Sequence, residues 1–297
     1  MKITNKHNLP QPILNAVRAS FRIPPSFGER VISVTTLIKP PRLVMLERTH
    51  WDDLETDAMD NIWSLWGSSI HAEIEKHDVD ALVKEERFRL RRGEWEISGQ
   101  IDRLSEDGVL QDYKTASVWS VIYGKAEWEQ QPNLYAHLLR HHKYEVRSAE
   151  IVAFLRDWNR NGALKHDYPK TPVVTIPIRL WSEDEVLSFI DARLAIFDAA
   201  MTELPLCSAE DRWAKADTWA VVKKGNKRAD RVLNSEAEAE VYAEVYIGYA
   251  HDGLGGKYEI QHRRGDSVRC RSYCSVSTVC TQWEKLREEL DGNDDPS

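Results

Sequence analysis

The stretch "ISGQIDRLSEDGVLQDYKTAS", residues 97–117, constrains this chain more than any other. Two runs of strand character flank the acidic, glycine-containing turn "SEDG", the pattern of a β-hairpin. Side chains alternate along a strand, so Asp112 and Lys114 share one face while Gln111 and Tyr113 share the other. With the turn centred on Asp107, Asp102 falls directly opposite Asp112. Cross-strand neighbours stand about 5 Å apart at Cβ, and like charges there repel. Lys114 offsets part of that repulsion, and a divalent cation would offset the rest. Magnesium suits such a place, since it takes one or two carboxylates together with waters and phosphate oxygens. The alternative is an exposed hairpin with a surface salt bridge, which contributes little.

The flanking elements weigh against the alternative. Between about Asp57 and His77 the apolar residues Ile62, Leu65, Trp66, Ile70 and Ile74 recur at helical spacing, which predicts an amphipathic helix. His71 flanks that stripe, and Gly67 lies one turn earlier on the same side, leaving the imidazole uncovered. Strands are predicted at "KEERFRL", "EWEISGQIDRL", "GVLQDYKT", "SAEIVAFLRD" and "PVVTIPIRL". Lys125 to His142 reads as a helix with Pro132 in its first turn or at a kink, and Gln131 and Tyr135 stand four apart on one face of it. Thr35 is offered as a helix N-cap ahead of the breaking pair Pro40–Pro41, and Ser182 with Glu185 forms a capping box for a strong helix. Helix, three strands, helix, strand is an α/β order with a mixed central sheet flanked by helices.

Composition narrows the class. At 297 residues the chain suffices for one large domain or a domain with an insertion. No apolar run is long enough for a membrane span, and the start "MKITNKHNLPQPI" lacks a secretory core, so a cytoplasmic setting is expected. A net charge of −8 argues against coating nucleic acid by bulk attraction. The charge is uneven, however, with basic clusters at Arg87–Arg92, Lys223–Arg228 and Arg263–Arg271 and an acidic C-terminus. The 11 tryptophans suit packing first and base stacking second.

All 4 cysteines, Cys207, Cys270, Cys274 and Cys280, follow the hairpin, and the last three are spaced x3 then x5. Four thiolates suit a [4Fe–4S] cluster or a tetrahedral zinc, with four metal-free thiols as the alternative. The residues between Cys207 and Cys270 read as a small inserted β/α element whose ends the cysteines bring together.

In order, "GSSIH", "SGQID", "QDYK" and "QPNLY" resemble the motifs of the RecB-like branch of the PD-(D/E)xK nucleases, spanning residues 67–135. The late "CRSYCSVSTVC" resembles the cysteine tail of that branch's iron–sulfur members, the AddB-type, CRISPR-associated and phage-encoded exonucleases. All four cysteines follow the core here, whereas many relatives place the first before it. The resemblance implies a restriction-endonuclease-like α/β core with a C-terminal four-cysteine metal-cluster region. It divides the chain into an irregular arm (1–30), a nuclease core (31–205), the cysteine region with its insert (206–285) and an acidic tail (286–297). By matching position it implies that His71, Asp102, Asp112 and the carbonyl of Tyr113 bind Mg²⁺ or Mn²⁺. Asp102, Asp112 and Lys114 would then be catalytic, and Gln131 and Tyr135 would position DNA. Glu73, Glu75 and Glu86 are auxiliary candidates that read more simply as surface acids. The implied activity is a metal-dependent DNA exonuclease acting at strand ends or in single strands, in recombination, repair or phage DNA processing. Its compartment would be the bacterial or host cytoplasm, and its partners DNA together with recombination or replication proteins. A non-cleaving DNA-binding or adaptor module that keeps the fold is the second reading. An intact Asp–Asp–Lys set argues against it, because a module without catalysis has no reason to bear that repulsion.

Overall fold

A computed structural model describes residues 1–21, 30–247 and 257–291. The chain divides into two compact units, Met1–Pro205 and Leu206–Ser297.

The first unit begins with β1 (Lys2–Thr4) and α1 (Gln11–Ser20), followed by β2 (Val31–Ser33), α2 (Val34–Leu37), α3 (Pro41–Thr49) and β3 (Glu55–Asp57). The described part of the expected arm, residues 1–21, is therefore not irregular, and 22–29 lie outside the described residues. β1 pairs in parallel with β3, and α1 buries Leu14 and Val17. The cap of α2 is Ser33 rather than Thr35: the Ser33 hydroxyl accepts from the Thr36 amide at 3.2 Å. Pro40 and Pro41 do break and restart the chain, since α3 begins at Pro41, where a missing N–H costs nothing.

Next come α4 (Ile62–His77), β4 (Ala81–Arg92), β5 (Trp95–Ser105), β6 (Val109–Ala116), α5 (Val118–Tyr123), α6 (Ala126–His141), β7 (Ser148–Leu155), β8 (Val173–Ile178) and α7 (Glu183–Ala200). The Ser182–Glu185 capping box opens α7 as predicted. Pro132 lies well inside α6, beyond its first turn. The apolar stripe of α4 is only half buried, and Trp66 stands outside it, 51% exposed.

The main sheet is mixed, in the order β2-β5-β6-β7-β8, with β4 also paired to β5. β4–β5, β5–β6 and β7–β8 are antiparallel, while β2–β5 and β6–β7 are parallel. α6 covers it with a buried face that includes Leu134, Tyr135, Leu138 and Leu139. Gly99 of β5 makes this close approach possible: a Cβ there would lie 2.7 Å from both Tyr135 and Leu138. On folding, Ile97, Ile101, Leu104, Leu110 and Ile151 are removed from water almost completely, each worth about 1.5–3 kcal/mol.

The second unit holds β9 (Thr218–Lys223), β10 (Ala229–Leu233), α8 (Glu236–Ile247), β11 (Tyr258–Arg263), α9 (Val268–Ser272) and α10 (Thr281–Asp291). Its three strands form an antiparallel sheet in the order β10-β9-β11, against which Ala239 and Ala243 of α8 pack. The part of the acidic tail up to Asp291 is helical, and residues 292–297 lie outside the described residues.

Candidate active site

The site forms where two strands part. β5 is lined by β4 along one edge, while its other edge meets β2 at Glu96–Ser98 and β6 at Arg103–Leu104. The β5–β6 ladder holds only two pairs, Arg103↔Gln111 and Leu104↔Leu110. Asp102 and Asp112 are the next residues outward, facing each other as the alternation predicts. Beyond them the ladder stops. The freed amide of Tyr113 donates to Asp102 Oδ2 at 2.8 Å, and the freed carbonyl of Tyr113 lies 3.1 Å from a His71 ring nitrogen.

Asp112 occupies the inner half and is 1% exposed. Its Oδ2 is 2.7 Å from the Lys114 ammonium, and its Oδ1 accepts from the Gln131 side-chain amide at 3.0 Å. Lys114 also donates to Gln131 Oε1 at 3.1 Å, and Gln131 donates to the Tyr135 hydroxyl at 2.8 Å. Gln131 and Tyr135 are thus buried behind the acid and the amine, and their side-chain hydrogen bonds are to each other and to those two groups. Burial holds the Tyr135 phenol far above its ordinary pKa, so it stays a neutral hydroxyl.

Asp102 belongs to the outer half. Burial, and after it the negative charge of Asp112, push its carboxyl up to about 7. Beside it stand His71, at 3.8 Å, and Glu85, which is 3.3 Å from the same His71 nitrogen. For His71, burial disfavours the charge, but the hydrogen bond to Glu85 and the field of Asp102 outweigh it and the pKa is raised. Gln100 anchors Glu85 from the other side at 2.6 Å. One donor atom each from His71, Glu85 and Asp102 lies within 4.8 Å of the others, the only such group of three or more among the described residues.

Glu85 is the residue that sequence reasoning missed. It is held at φ 46°, a left-handed conformation that costs a non-glycine residue roughly 1–3 kcal/mol and clusters at functional sites. The candidates Glu73, Glu75 and Glu86 are surface acids, with Glu73 engaged by Lys76 and His77. A signal for Glu85 was present: a two-residue turn at Gly93–Glu94 closes on Arg92↔Trp95, a register that puts Glu85 opposite Asp102.

This donor set fits a divalent cation. The Glu85 and Asp102 carboxylates face His71 Nδ1, and the Tyr113 carbonyl lies against Nε2 of the same ring. Asp112 Oδ2, fully buried, makes no well-formed hydrogen bond and has only its ion contact with Lys114. An oxygen-rich set suits Mg²⁺ or Mn²⁺, and the imidazole favours manganese of the two.

The cysteines gather in the second unit, none in a disulfide. Gln282 clamps the backbone of Cys207, accepting from its amide at 2.8 Å and donating to its carbonyl at 2.9 Å, which ties it to the segment bearing Cys280. The ends of the insert meet through Lys215 and Asp266, whose backbones bond at 2.8 Å. Burial, then Asp211 and the other three thiols, push Cys207 up to about 12; burial and its neighbouring thiols push Cys270 up to about 11. The Arg212 and Arg269 charges act in the opposite direction at Cys270.

The chain matches the family model described as the PD-(D/E)XK nuclease superfamily over residues 35–281. No curated protein matches it. Among solved structures it is similar to SSO0001, 16% identical over 63% of this chain and 85% of that one, with a TM-score of 0.43. It is also similar to a phage related exonuclease from Haemophilus somnus 129PT, 14% identical over 60% of this chain and 97% of that one, with a TM-score of 0.37. A third is LHK-Exo in complex with dAMP, 13% identical over 63% of this chain and 92% of that one, with a TM-score of 0.32.

Proposed function

The chain belongs to the PD-(D/E)XK nuclease superfamily, and from that premise we propose that it is a Mg²⁺- or Mn²⁺-dependent DNA exonuclease cutting at strand ends or in single strands. The observation that carries the reading is the Lys114–Asp112 contact of 2.7 Å beside the His71–Glu85–Asp102 cluster. Asp102, Asp112, His71 and the Tyr113 carbonyl would hold the metal, with Glu85 as a further ligand. When bound, the ion supplies charge for the scissile phosphate and lowers the pKa of the attacking water.

The protein's own groups do the rest. An ammonium has three donors; Lys114 places one on Gln131 Oε1 and is held in ion contact by Asp112. A remaining donor serves the attacking water or a phosphate oxygen, where a positive charge stabilises what develops in the transition state. Gln131 joins Asp112, Lys114 and Tyr135, so Gln131 and Tyr135 act here as positioning residues that fix the carboxylate and the amine. Recombination, repair or phage DNA processing is the setting this reading fits, in the cytoplasm and alongside recombination or replication proteins. Among the described residues no helix is long and apolar enough to cross a membrane.

Strands labelled at the 5′ or the 3′ end, single or duplex, incubated with magnesium or manganese, test the activity. Release of mononucleotides from linear but not circular DNA is the expected result. Binding without any cutting would leave the adaptor reading instead.

For the cysteines we favour a [4Fe–4S] cluster over zinc. The x3 and x5 spacing of Cys270, Cys274 and Cys280 lacks the C-x2-C pair of the commonest zinc ribbons, and the preference otherwise rests on the resemblance of the cysteine tail to iron–sulfur relatives. Anaerobic purification should yield a brown protein with about four irons per chain. A colourless protein carrying one zinc would reverse the choice.

A further inference from the structure

Beside the active site, along α4 and α5, the protein exposes aromatic rings that its core does not use. Trp63 and Trp66 on α4 are 45% and 51% exposed, and Trp119 and Tyr123 on α5 are 57% and 79% exposed. The rings are ordered rather than scattered. Trp119 and Tyr123 stack at 15° with centroids 5.8 Å apart, and Trp63 meets Trp66 edge-on at 5.2 Å.

A chain of contacts links these rings to the catalytic strand. α4 runs alongside β6: His71 meets the Tyr113 carbonyl, and Gly67 faces Thr115. Trp63, one turn further on, carries the Arg156 guanidinium 4.7 Å above its ring. The Arg156 amide bonds to the carbonyl of Ala116 at the end of β6, and the adjacent Asp157 carboxylate accepts from the amide of Val118, which opens α5. The contacts therefore run from His71 and the Tyr113 carbonyl past Thr115 and Arg156 to Val118, the residue before Trp119. Trp63 precedes His71 by eight residues, about 12 Å along a helix. That is a reach of roughly three to four stacked nucleotides at about 3.4 Å each.

Large exposed rings next to cations are how proteins hold unpaired bases: rings stack on bases, and Arg or Lys meets the phosphates. Arg156 supplies one such cation, and Lys165, lining a cleft of about 330 Å³ with Trp119, supplies another. In a chain of net charge −8, cations set among rings beside a phosphate-cutting site match a nucleic-acid strand rather than an acidic protein. We propose that Trp63, Trp66, Trp119 and Tyr123 form a ledge that stacks unpaired bases of the strand entering the active site, so that the enzyme engages single strands or frayed ends in preference to closed duplex. This rests on the nuclease reading above and adds the form of the substrate to it.

The test is binding of a fluorescein-labelled oligothymidylate and of a blunt duplex to the full chain in EDTA, where no divalent ion supports cutting. Trp66→Ala combined with Trp119→Ala should weaken single-strand binding about 10- to 100-fold and leave duplex binding within about twofold. Trp119→Phe, which keeps a stacking face, should stay within about threefold of the wild type. Unchanged single-strand affinity in the double variant, with an unaltered circular-dichroism spectrum, would overturn the proposal and leave the ledge to a protein partner. An equal loss on both substrates would overturn it as well. Cleavage by Asp112→Asn is scored separately: full activity there removes the nuclease reading without touching the binding result.

Discussion

Asp112 and Asp102 are the same side chain on facing strands, but the protein treats their charges in opposite ways. Asp112 is sealed at 1% exposure with the Lys114 ammonium 2.7 Å away and a Gln131 amide on its other oxygen. Asp102 has the Tyr113 amide and only a half-buried imidazole 3.8 Å off, and its pKa rises to about 7. Where two carboxylates face each other, one has been given an internal counter-charge and the other has not. The difference teaches where an added cation belongs: on the Asp102 side, in the space that His71 and Glu85 also face.

Breaking the inner half should have the largest effect. Asp112→Asn keeps the shape but removes the charge that both Lys114 and a metal use. It should lower kcat by more than the roughly 10²–10³-fold that losing one charge-stabilising donor costs. Lys114→Met should fall within that range under single-turnover conditions. It should also lower thermal stability, because it leaves Asp112 buried without its counter-charge. Gln131→Ala removes the link between the two groups and should cost about 10–100-fold in kcat with KM little changed. A KM effect of that size instead would show that Gln131 touches the substrate, as its sequence motif suggested.

The two motif glycines separate by packing. Gly99→Ala puts a methyl 2.7 Å from Tyr135 and Leu138 and should destabilise the fold by about 1–3 kcal/mol in denaturant titrations. Gly67→Ala meets only Thr115 Oγ1, at 3.5 Å, and gains helix propensity, so stability should rise by up to about 1 kcal/mol. Activity in Gly67→Ala should stay within about twofold, the smallest effect in the series.

The inner half of this site was legible in the sequence because it depends on local rules. The "SEDG" turn and strand alternation were enough to place Asp102 across from Asp112 and to put Lys114 beside Asp112. The outer half depends on which strand lies along the far edge of β5. Glu85 could be found only by fixing the β4 register through the Gly93–Glu94 turn, and its left-handed backbone has no signature in composition. Trp66 was misplaced for a related reason. Apolar spacing assigns a helix face, but α4 meets β6 through Gly67 and His71, and that contact turns Trp66 outward. The same limit applies to residues 1–21, where a three-residue strand is stabilised by pairing with β3, some fifty residues away in sequence.

The linkage between protons and metal tests the central claim most directly. A carboxyl raised in the folded state binds its proton more tightly than in the unfolded chain. Its contribution to the stability of the metal-free protein is therefore greatest at low pH and is lost as pH rises from about 4 towards 7. A cation at Asp102 must displace that proton. Manganese titration calorimetry in buffers of differing ionisation enthalpy should show one saturable site, with about one proton released from Asp102 at pH 6 and close to none from it at pH 8. In Asp102→Asn that release should disappear together with most of the affinity. Binding of equal strength in Asp102→Asn, or proton release unchanged by the substitution, would contradict the account.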